Sequence, residues 1–214
     1  KKWAKNPYPD SGKQAYENLN TKFELGSVGA GCGAQGGTMK GGLGSASFKL
    51  SNGITVGALV AANPAGDATD VTGKHFWAAS FEIGDEFGGF EAPSGGNYAK
   101  SFKWPELFPL QDRTNTTIGI VATDANLTKA QAQRLATSAH DGIARAIVPS
   151  HLPYDGDLIF ASSTKELPLR DEIYDLAEIC HAASLCMARA IARGFYNAEN
   201  LPGDPMPTFR NFNS

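Results

Sequence analysis

Asn115-Thr-Thr-Ile-Gly-Ile-Val-Ala122 is the stretch of sequence that decides the fold of this chain. A polar entry leads at once into an apolar run, so residues 117–122 are predicted to form a short, fully buried strand. Thr128 and Gln131 follow at the spacing of a capping box, which predicts a helix start, and Pro149 ends that helix. A strand followed by an amphipathic helix indicates helices layered over a sheet.

The rest of the chain extends this pattern. After the turn Asp155-Gly-Asp157, residues 157–162 are predicted to form a second strand, and a long helix follows over about residues 171–193. The helix is apolar on more than one side, so we expect it to be sandwiched between layers, with Gly194 as its stop. Residues 202–214 are predicted to be loop.

The first half of the chain is rich in glycine, which is concentrated in residues 26–44 and 84–96. Between these loops, residues 45–50 and 54–62 are predicted to be strands. The Asn-Gly pair that joins them is typical of a two-residue hairpin turn. Taken together, these segments predict an α/β fold.

Residues 67–113 show no clean periodicity, and their aromatic side chains are scattered among glycine, proline and charge. We expect an irregular excursion that packs through its aromatics, either as a surface lobe or as a subunit contact, and exposed aromatics would favour the contact. The aromatics in question are Trp77, Phe81, Phe87, Phe90, Trp104 and Phe108.

Composition narrows the class of protein. The chain has 214 residues, 42% of them hydrophobic, and a net charge of −3, which suits one globular domain or two small ones and gives no basic excess for nucleic acid. No apolar stretch is long enough for a membrane span or a signal peptide, and the three cysteines lack a disulfide or zinc spacing. We therefore expect a cytoplasmic protein. Since the chain does not begin with Met, we expect it to be part of a longer product.

Thr116 is the candidate nucleophile. Its hydroxyl needs an adjacent base, and cleavage of the Asn115–Thr116 bond would supply one, because the new α-amine has an ordinary pKa of about 7.7 to 8.0. Before cleavage the same hydroxyl could attack the carbonyl of Asn115, so the cut would be self-inflicted. The alternative is that the tripeptide is only a polar strand entry. Whether Thr117 takes the role instead stays open.

Two further candidates lie near strand ends. Lys40 stands in the glycine-dense loop, where its ammonium could keep a neighbouring terminal amine neutral by like-charge repulsion; the alternative is a solvated loop lysine. Asn63 ends the strand of residues 54–62 and could donate its amide to an oxyanion; the alternative is a turn asparagine before proline.

Asp155 and Asp157 could orient the Thr116 hydroxyl and amine through charge-assisted hydrogen bonds, although Asp-Gly-Asp is equally typical of a turn or a cation-binding loop. Other signals are weaker. The glycine loop lacks the complete pattern of a dinucleotide site or a P-loop, and the four histidines share no metal spacing. Cys32 is a second candidate nucleophile, without an identified base.

These motifs together resemble the self-processing L-aminopeptidase/D-Ala-esterase (DmpA-type) family of N-terminal-nucleophile hydrolases, which includes β-peptidyl aminopeptidases and nylon-oligomer hydrolases. The stretches that carry the resemblance are residues 26–33, 40–47, 56–63, 115–124 and 155–161. The resemblance covers nearly all of the chain, which corresponds to the later part of a family precursor. The aromatic excursion has no place in the family pattern.

The resemblance implies a four-layer αββα sandwich of the N-terminal-nucleophile-hydrolase type, in one catalytic domain over residues 1–214. It also implies autocleavage between Asn115 and Thr116, into an α-subunit part (1–115) and a β-subunit (116–214). Thr116 would be the mature nucleophile and Lys40 the active-site lysine. By the same resemblance Asn63 serves the oxyanion, Asp155 and Asp157 position the nucleophile, and Tyr8 lines the substrate site.

The sequence therefore predicts a self-processing amide hydrolase acting through an acyl-enzyme, with no metal and no organic cofactor. Its substrates would be peptides, β-peptides or ω-amino-acid oligomers, its partners further copies of the processed chain in a homo-oligomer, and neither nucleic acid nor membrane is expected. Two alternatives stay open: a non-catalytic binding or assembly protein on the same scaffold, and an acyl transferase that uses Cys32.

Overall fold

A computed structural model describes residues 6–94 and 115–212. Its helices and strands are α1 (Tyr8–Glu17), β1 (Gly42–Lys49), β2 (Thr55–Ala62), β3 (Ile118–Ala125), α2 (Lys129–Ala146), β4 (Leu158–Leu167), α3 (Tyr174–Tyr196) and α4 (Phe209–Phe212). Short 3-10 turns lie at Gly29–Gly31 and Trp77–Phe81. Trp104 and Phe108 lie outside the described residues.

The four strands form one mixed sheet in the order β1-β2-β3-β4. The first three strands are antiparallel neighbours, while β4 runs parallel to β3 after the α2 crossover, as a parallel pair requires. The register pairs Gly42 with Ala62, Ala61 with Ile118, and Ile118 with Leu158. Consequently the start of β1, the end of β2 and the starts of β3 and β4 all meet at one end of the sheet.

The hairpin between β1 and β2 forms where the sequence predicts it, but its loop has three residues rather than two. Gly53 N donates to Leu50 O and Leu50 N donates to Ile54 O, so residues 51–53 are the loop. Gly53 has a φ of +92°, a left-handed conformation that glycine adopts without strain. The Asn-Gly pair is thus the end of a three-residue loop with a bulge.

Helices α2 and α3 cover one face of the sheet. The predicted capping box is present, with Gln131 N donating to the Thr128 hydroxyl, and α2 ends three residues before Pro149. Helix α3 packs against strands β1 and β2 and, within its own layer, against α2, which accounts for its burial on more than one side. A layer on its other face stays a prediction. Gly194, predicted as its stop, instead lies inside α3 and allows close contact with the backbone of β1.

The aromatic excursion joins the core through its described part. The rings of Phe76 and Phe87 are buried edge to face, and Phe209 of α4 stacks on Phe76. Phe209 belongs to the segment 202–214 for which the sequence predicts loop. The prediction is confirmed for residues 202–208 and wrong for α4, where the buried Phe209 anchors a helical turn. Phe87 is buried, whereas Phe90 is 37% exposed. The choice between a surface lobe and a subunit contact therefore stays a prediction.

The second face of the sheet is open in the described residues. Strand β3 alternates between exposed and buried positions, so the prediction of a fully buried strand is wrong for this chain. Ile118 and Ile120 face the open side, and Phe160 of β4, paired with Ile120, is 62% exposed. The described fold is therefore an α/β structure with helices on one face of a mixed four-stranded sheet.

Replacing Gly44 by alanine tests the close packing of β1 on α3. The added methyl group would lie 1.8 Å from the carbonyl oxygen of Ala190, a backbone atom that cannot rotate away. We expect Gly44→Ala to lower the free energy of unfolding by at least about 2 kcal/mol, as overpacking typically does. Chemical denaturation monitored by circular dichroism measures this.

The matched control is Gly57→Ala on strand β2, where the nearest atom would lie 3.8 Å from the new methyl group. This variant should stay within about 0.5 kcal/mol of the parent. Equal stability of the two variants would contradict the packing described for α3.

Candidate active site

The Asn115–Thr116 peptide bond lies at the end of the sheet where the four strands meet, and hydrogen bonds hold both of its polar atoms. Thr116 N donates to the backbone oxygen of Asn63 at 2.9 Å, and Gly156 N donates to the oxygen of Asn115 at 3.0 Å. The side chain of Asn115 donates to Pro64 O at 2.8 Å. The end of β2 and the turn before β4 thus fix this peptide between them.

The hydroxyl of Thr116 lies beside the carbonyl that precedes it. Thr116 Oγ1 donates to the oxygen of Asn115 at 2.5 Å. A methyl group at Gly156 would lie 2.7 Å from that hydroxyl oxygen, so glycine is needed for the turn to approach so closely. The oxygen of Asn115 therefore receives two donors, Thr116 Oγ1 and Gly156 N.

Thr117 has a different environment. Its side chain is fully buried, and its hydroxyl has no hydrogen-bond partner among residues 6–94 and 115–212. Thr117 N donates to Asp157 Oδ1 at 2.9 Å. Of the two threonines, the half-buried Thr116 is the one whose hydroxyl adjoins a carbonyl.

Asp155 and Asp157 lie next to the Asn115–Thr116 peptide bond, as the sequence predicts from their place before β4. Asp155 Oδ2 accepts a hydrogen bond from Ala65 N at 3.0 Å, and its Oδ1 is buried without a hydrogen-bond partner in the part of the chain described. Burial raises the pKa of Asp155 to about 6, and the charge of Asp157 adds to this effect. Asp155 can therefore exchange a proton near neutrality.

Lys40 lies at the same end of the sheet, two residues before β1, and is not the solvated loop lysine of the alternative. Its side chain is buried, and its ammonium contacts Asp204 Oδ2 at 2.5 Å and Cys32 O at 3.0 Å. Lys40 N also donates to Pro207 O, so residues 204–207 hold it from the C-terminal side. No hydrogen bond joins Lys40 to Thr116 within the described ranges, and its effect on a terminal amine stays a prediction.

Asn63 connects the glycine loop to Thr116. Its side-chain oxygen accepts from Gln35 N at 3.0 Å, while its backbone oxygen accepts from Thr116 N. Gln35 pairs in turn with Lys40 through an isolated bridge. The side-chain nitrogen of Asn63 is the atom that could serve an oxyanion, and that role stays a prediction.

Tyr8 and Cys32 are not brought to this peptide. Tyr8 begins helix α1 and is 72% exposed on a helix that buries no residue. Cys32 is exposed, and its backbone oxygen, not its thiol, contacts Lys40. Among the described residues no group of three histidine, cysteine, aspartate or glutamate side chains is arranged to hold a metal ion. No described helix has the length and apolar character needed to traverse a bilayer.

Asp67 is a site residue that the sequence analysis missed. Its carboxylate accepts from Thr38 N at 2.7 Å and lies against Gly36 and Gly37, whose missing side chains leave room for it. Burial raises the pKa of Asp67 to about 6, and the bonds from Thr38 and Gly37 only partly oppose this. Asp67 thus holds the glycine loop that leads to Lys40, and no sequence motif marks it.

Comparison with known proteins identifies a family and several relatives that this chain resembles. The family model described as Peptidase family S58 matches residues 4–207. An uncharacterized aminopeptidase of Mycobacterium tuberculosis is 36% identical over 218 residues, covering 97% of this chain and 62% of the relative. A 6-aminohexanoate-oligomer endohydrolase of Kocuria sp. is 30% identical, covering 76% of this chain and 46% of the relative.

A solved structure shows the same fold. The L-aminopeptidase D-Ala-esterase/amidase of Ochrobactrum anthropi, described as a variant of the Ntn hydrolase fold, superposes with a TM-score of 0.63 and 23% identity. The match covers 91% of this chain and 51% of that structure. The chain therefore spans about half to two thirds of the length of these relatives.

Substituting Asp67 by asparagine tests the buried charge beneath the glycine loop. The pKa of Asp67 is about 6 in the folded protein and near 4 in the unfolded chain. Below pH 4 the protonated carboxyl therefore favours folding, and this contribution to stability is lost as the pH rises through about 6. Asn keeps the acceptor for Thr38 N without the charge. The free energy of unfolding of Asp67→Asn, relative to that of the parent, should therefore increase by up to roughly 3 kcal/mol between about pH 4 and pH 7.5.

Urea denaturation of both proteins at the two pH values measures this difference. A stability difference between variant and parent that is the same at both values would contradict the assignment of a raised pKa to Asp67.

Proposed function

Because this chain belongs to peptidase family S58, we propose that it is a self-processing amide hydrolase whose nucleophile is Thr116. The observation that carries the proposal is the double restraint of the Asn115–Thr116 peptide. Gly156 N binds its oxygen, Asn63 O binds its nitrogen, and the Thr116 hydroxyl lies 2.5 Å from the oxygen of Asn115. A strand entry without chemistry requires no hydroxyl at that position.

Self-cleavage would proceed by an N-to-O acyl shift. Thr116 Oγ1 adds to the carbonyl carbon of Asn115, and the negative charge forms on the oxygen that Gly156 N already binds. The bond between that carbon and Thr116 N then breaks, and the proton lost by the hydroxyl ends on the departing nitrogen. Water hydrolyses the resulting ester, which releases the Asn115 carboxylate and restores the hydroxyl of Thr116 with a free α-amine beside it.

The mature enzyme would use that amine as its base. The amine forms where Asn63 O already accepts from Thr116 N, which supports a fixed orientation for it. It takes the proton of the hydroxyl as Thr116 attacks a substrate carbonyl, and water later resolves the acyl-enzyme. Asn63 through its side-chain amide, together with a backbone N–H, would bind the oxyanion, while Asp155 and Asp157 position the nucleophile.

Lys40 is proposed as the active-site lysine, although its contacts reduce the effect of its charge. Its ammonium forms an ion pair with Asp204, so the repulsion between Lys40 and the amine of Thr116 would be weaker than that of an unpaired lysine. The side chain of Lys40 is buried and its ammonium donates to Cys32 O, which supports a charge that is held in one place. Tyr8 would line the substrate site only from a surface helix, since it is exposed in the described structure.

Substrates are proposed from the relatives. The names of the relatives refer to aminopeptidases and to a hydrolase of 6-aminohexanoate oligomers, so peptides, β-peptides or ω-amino-acid oligomers are the proposed classes. The processed parts 1–115 and 116–214 would stay associated as subunits of a homo-oligomer. No cofactor takes part in the proposed steps, because nucleophile and base come from one residue.

The complete enzyme is proposed to be a four-layer αββα sandwich. The open face of the sheet supports this, because Ile118, Ile120 and Phe160 form an apolar surface that water would otherwise cover. The chain also spans only 51% of the structurally similar hydrolase. A second sheet from the remainder of the protein would bury this face.

Paired substitutions at the two neighbouring threonines test the nucleophile. Valine keeps the shape of threonine and removes only the hydroxyl. Thr116→Val should abolish the fragment that begins at residue 116 and lower the rate of amide hydrolysis by at least about 10³-fold, because no other hydroxyl of the described residues bonds to the carbonyl of Asn115. Thr117→Val is the matched control and should be cleaved normally, since its buried hydroxyl has no hydrogen-bond partner among the described residues.

Intact-mass spectrometry of the purified proteins identifies the new N-terminus, and release of amine from peptide, β-peptide and aminohexanoate oligomers measures hydrolysis. Cleavage of Thr116→Val at the same bond would remove the basis of the proposal. An intact but functional parent would favour the binding-protein alternative, and loss of hydrolysis on alkylation of Cys32 would favour the thiol alternative.

Gly156→Ala tests the approach of the turn to the peptide bond. The added methyl group would lie 2.7 Å from Thr116 Oγ1 and displace either the hydroxyl or the donor Gly156 N. We expect cleavage to slow by about 10²-fold or more, the cost of losing one oxyanion donor, while the folded structure is retained. Gly12→Ala, which meets no atom within 4 Å and has no left-handed φ, is the control for adding a methyl group away from the site. Normal cleavage of Gly156→Ala would contradict the proposed geometry.

A further inference from the structure

His151 contacts Asp157, one of the two carboxylates beside the Asn115–Thr116 peptide. It lies in the loop between α2 and β4, in a left-handed backbone conformation with a φ of +53°. Its Nδ1 is 3.0 Å from Asp157 Oδ2, and its side chain is 37% exposed while that of Asp157 is 1% exposed. An uncommon backbone conformation in a non-glycine residue thus directs a partly exposed imidazole at a buried carboxylate.

The contact between the two side chains is electrostatic. Asp157 Oδ2 has no hydrogen-bond partner among the described residues, although the imidazole nitrogen is close, so the attraction depends on a charged ring. The other oxygen, Oδ1, accepts from Thr117 N. His151, Asp157 and the backbone next to Thr116 therefore form one continuous chain of contacts.

Several charged groups surround this pair. His140 of α2 stands with its ring centre 5.2 Å from that of His151, and Asp141 follows it on the same helix. Burial, and next the charge of His151, lowers the pKa of His140, while Asp157 and Asp141 oppose this. Burial raises the pKa of Asp155 most, the hydrogen bond from Ala65 N lowers it, and Asp157 raises it further. The charge of His151 lowers this pKa by the smallest of these effects. Among these groups His151 is the one that can place a positive charge beside the two carboxylates when its ring is protonated.

We propose that His151 is a positioning residue that holds the Asp155–Asp157 pair beside the Asn115–Thr116 peptide and favours the ionised form of Asp155, and thereby sets the lower limit of the pH range in which Thr116 reacts. The effect on the reaction of Thr116 rests on the proposed function, whereas the effect of His151 on the ionisation of Asp155 does not. Removing the imidazole leaves two neighbouring carboxylates without a compensating charge, and one of them then holds its proton to higher pH.

A direct titration tests the physical basis without any reaction. The test uses Thr116→Val, in which the proposed nucleophile is absent, with carbon-13 in the aspartate carboxyl groups, and follows Asp155 by NMR as pH is varied. Adding His151→Asn should raise the titration midpoint of Asp155 by about one pH unit, because asparagine tolerates the left-handed backbone but carries no charge. An unchanged midpoint would overturn the proposal.

The chain offers a closely matched control. His75 Nδ1 lies 3.1 Å from Asp70 Oδ2, and the side chains are 35% and 1% exposed, nearly the values of the His151 pair. His75→Asn removes a histidine–aspartate contact of similar distance and exposure, here also a hydrogen bond, outside the group of His140, His151, Asp155 and Asp157. It should leave the midpoint of Asp155 where it was, and a shift equal to that of His151→Asn would also overturn the proposal.

The pH profile of amide hydrolysis tests the consequence. In otherwise unaltered protein, His151→Asn should move the acidic limb of kcat/KM upward by about one pH unit and leave the plateau above pH 8 within a few-fold of the parent. An acidic limb at the same pH as in His75→Asn would overturn the proposal, since a purely structural role changes the plateau and not the limb. If the parent shows no cleavage at Thr116, the proposed function fails, while the NMR titration still decides the role of His151.

Discussion

The restraint on the Asn115–Thr116 peptide is the interaction on which the rest of the site depends. Two backbone groups from different strand ends bind it: Asn63 O, after β2, takes the N–H, and Gly156 N, before β4, takes the carbonyl oxygen. Because β3 lies between β2 and β4 in the sheet, its first residues have neighbours on both sides, and a peptide at that point is held without any side chain. The self-cleavage proposed for this peptide then requires, in addition, only the hydroxyl of Thr116.

The sheet end in turn depends on close backbone packing beneath it. Glycine in β1 allows α3 to approach the sheet, and glycine at 36 and 37 leaves room for the carboxylate of Asp67. Lys40, held by Asp204, follows that loop into β1. A buried lysine without its partner is costly, since breaking a buried ion pair leaves an uncompensated charge. The glycine loop is therefore packed closely against Asp67 on its way to Lys40.

Much of this could be predicted from local sequence signals. The capping box at Thr128, the hairpin at Asn52-Gly53 and the strand after Thr116 each rest on neighbouring residues, and each is present. The groups that the prediction missed act over long separations in the chain: Asp204 reaches Lys40 across 164 residues, and Asp67 binds a loop 29 residues earlier. No local pattern encodes such pairs. The exposed face of β3 was mispredicted for a related reason, since an apolar run does not reveal whether its second face is covered within the same chain.

The position of the acidic pair gives the physical basis of the role proposed for His151. Asp155 and Asp157 are two residues apart around Gly156, whose amide must point at Asn115, so the turn that supplies this donor also forces two carboxylates together. Like charges at such proximity retain a proton unless a cation or several donors compensate them. Backbone donors satisfy one oxygen of each, from Ala65 and Thr117. The remaining oxygens face inward, and the imidazole of His151 is the group that meets one of them, so the same turn that prepares the peptide for attack creates the need for a positive charge beside it.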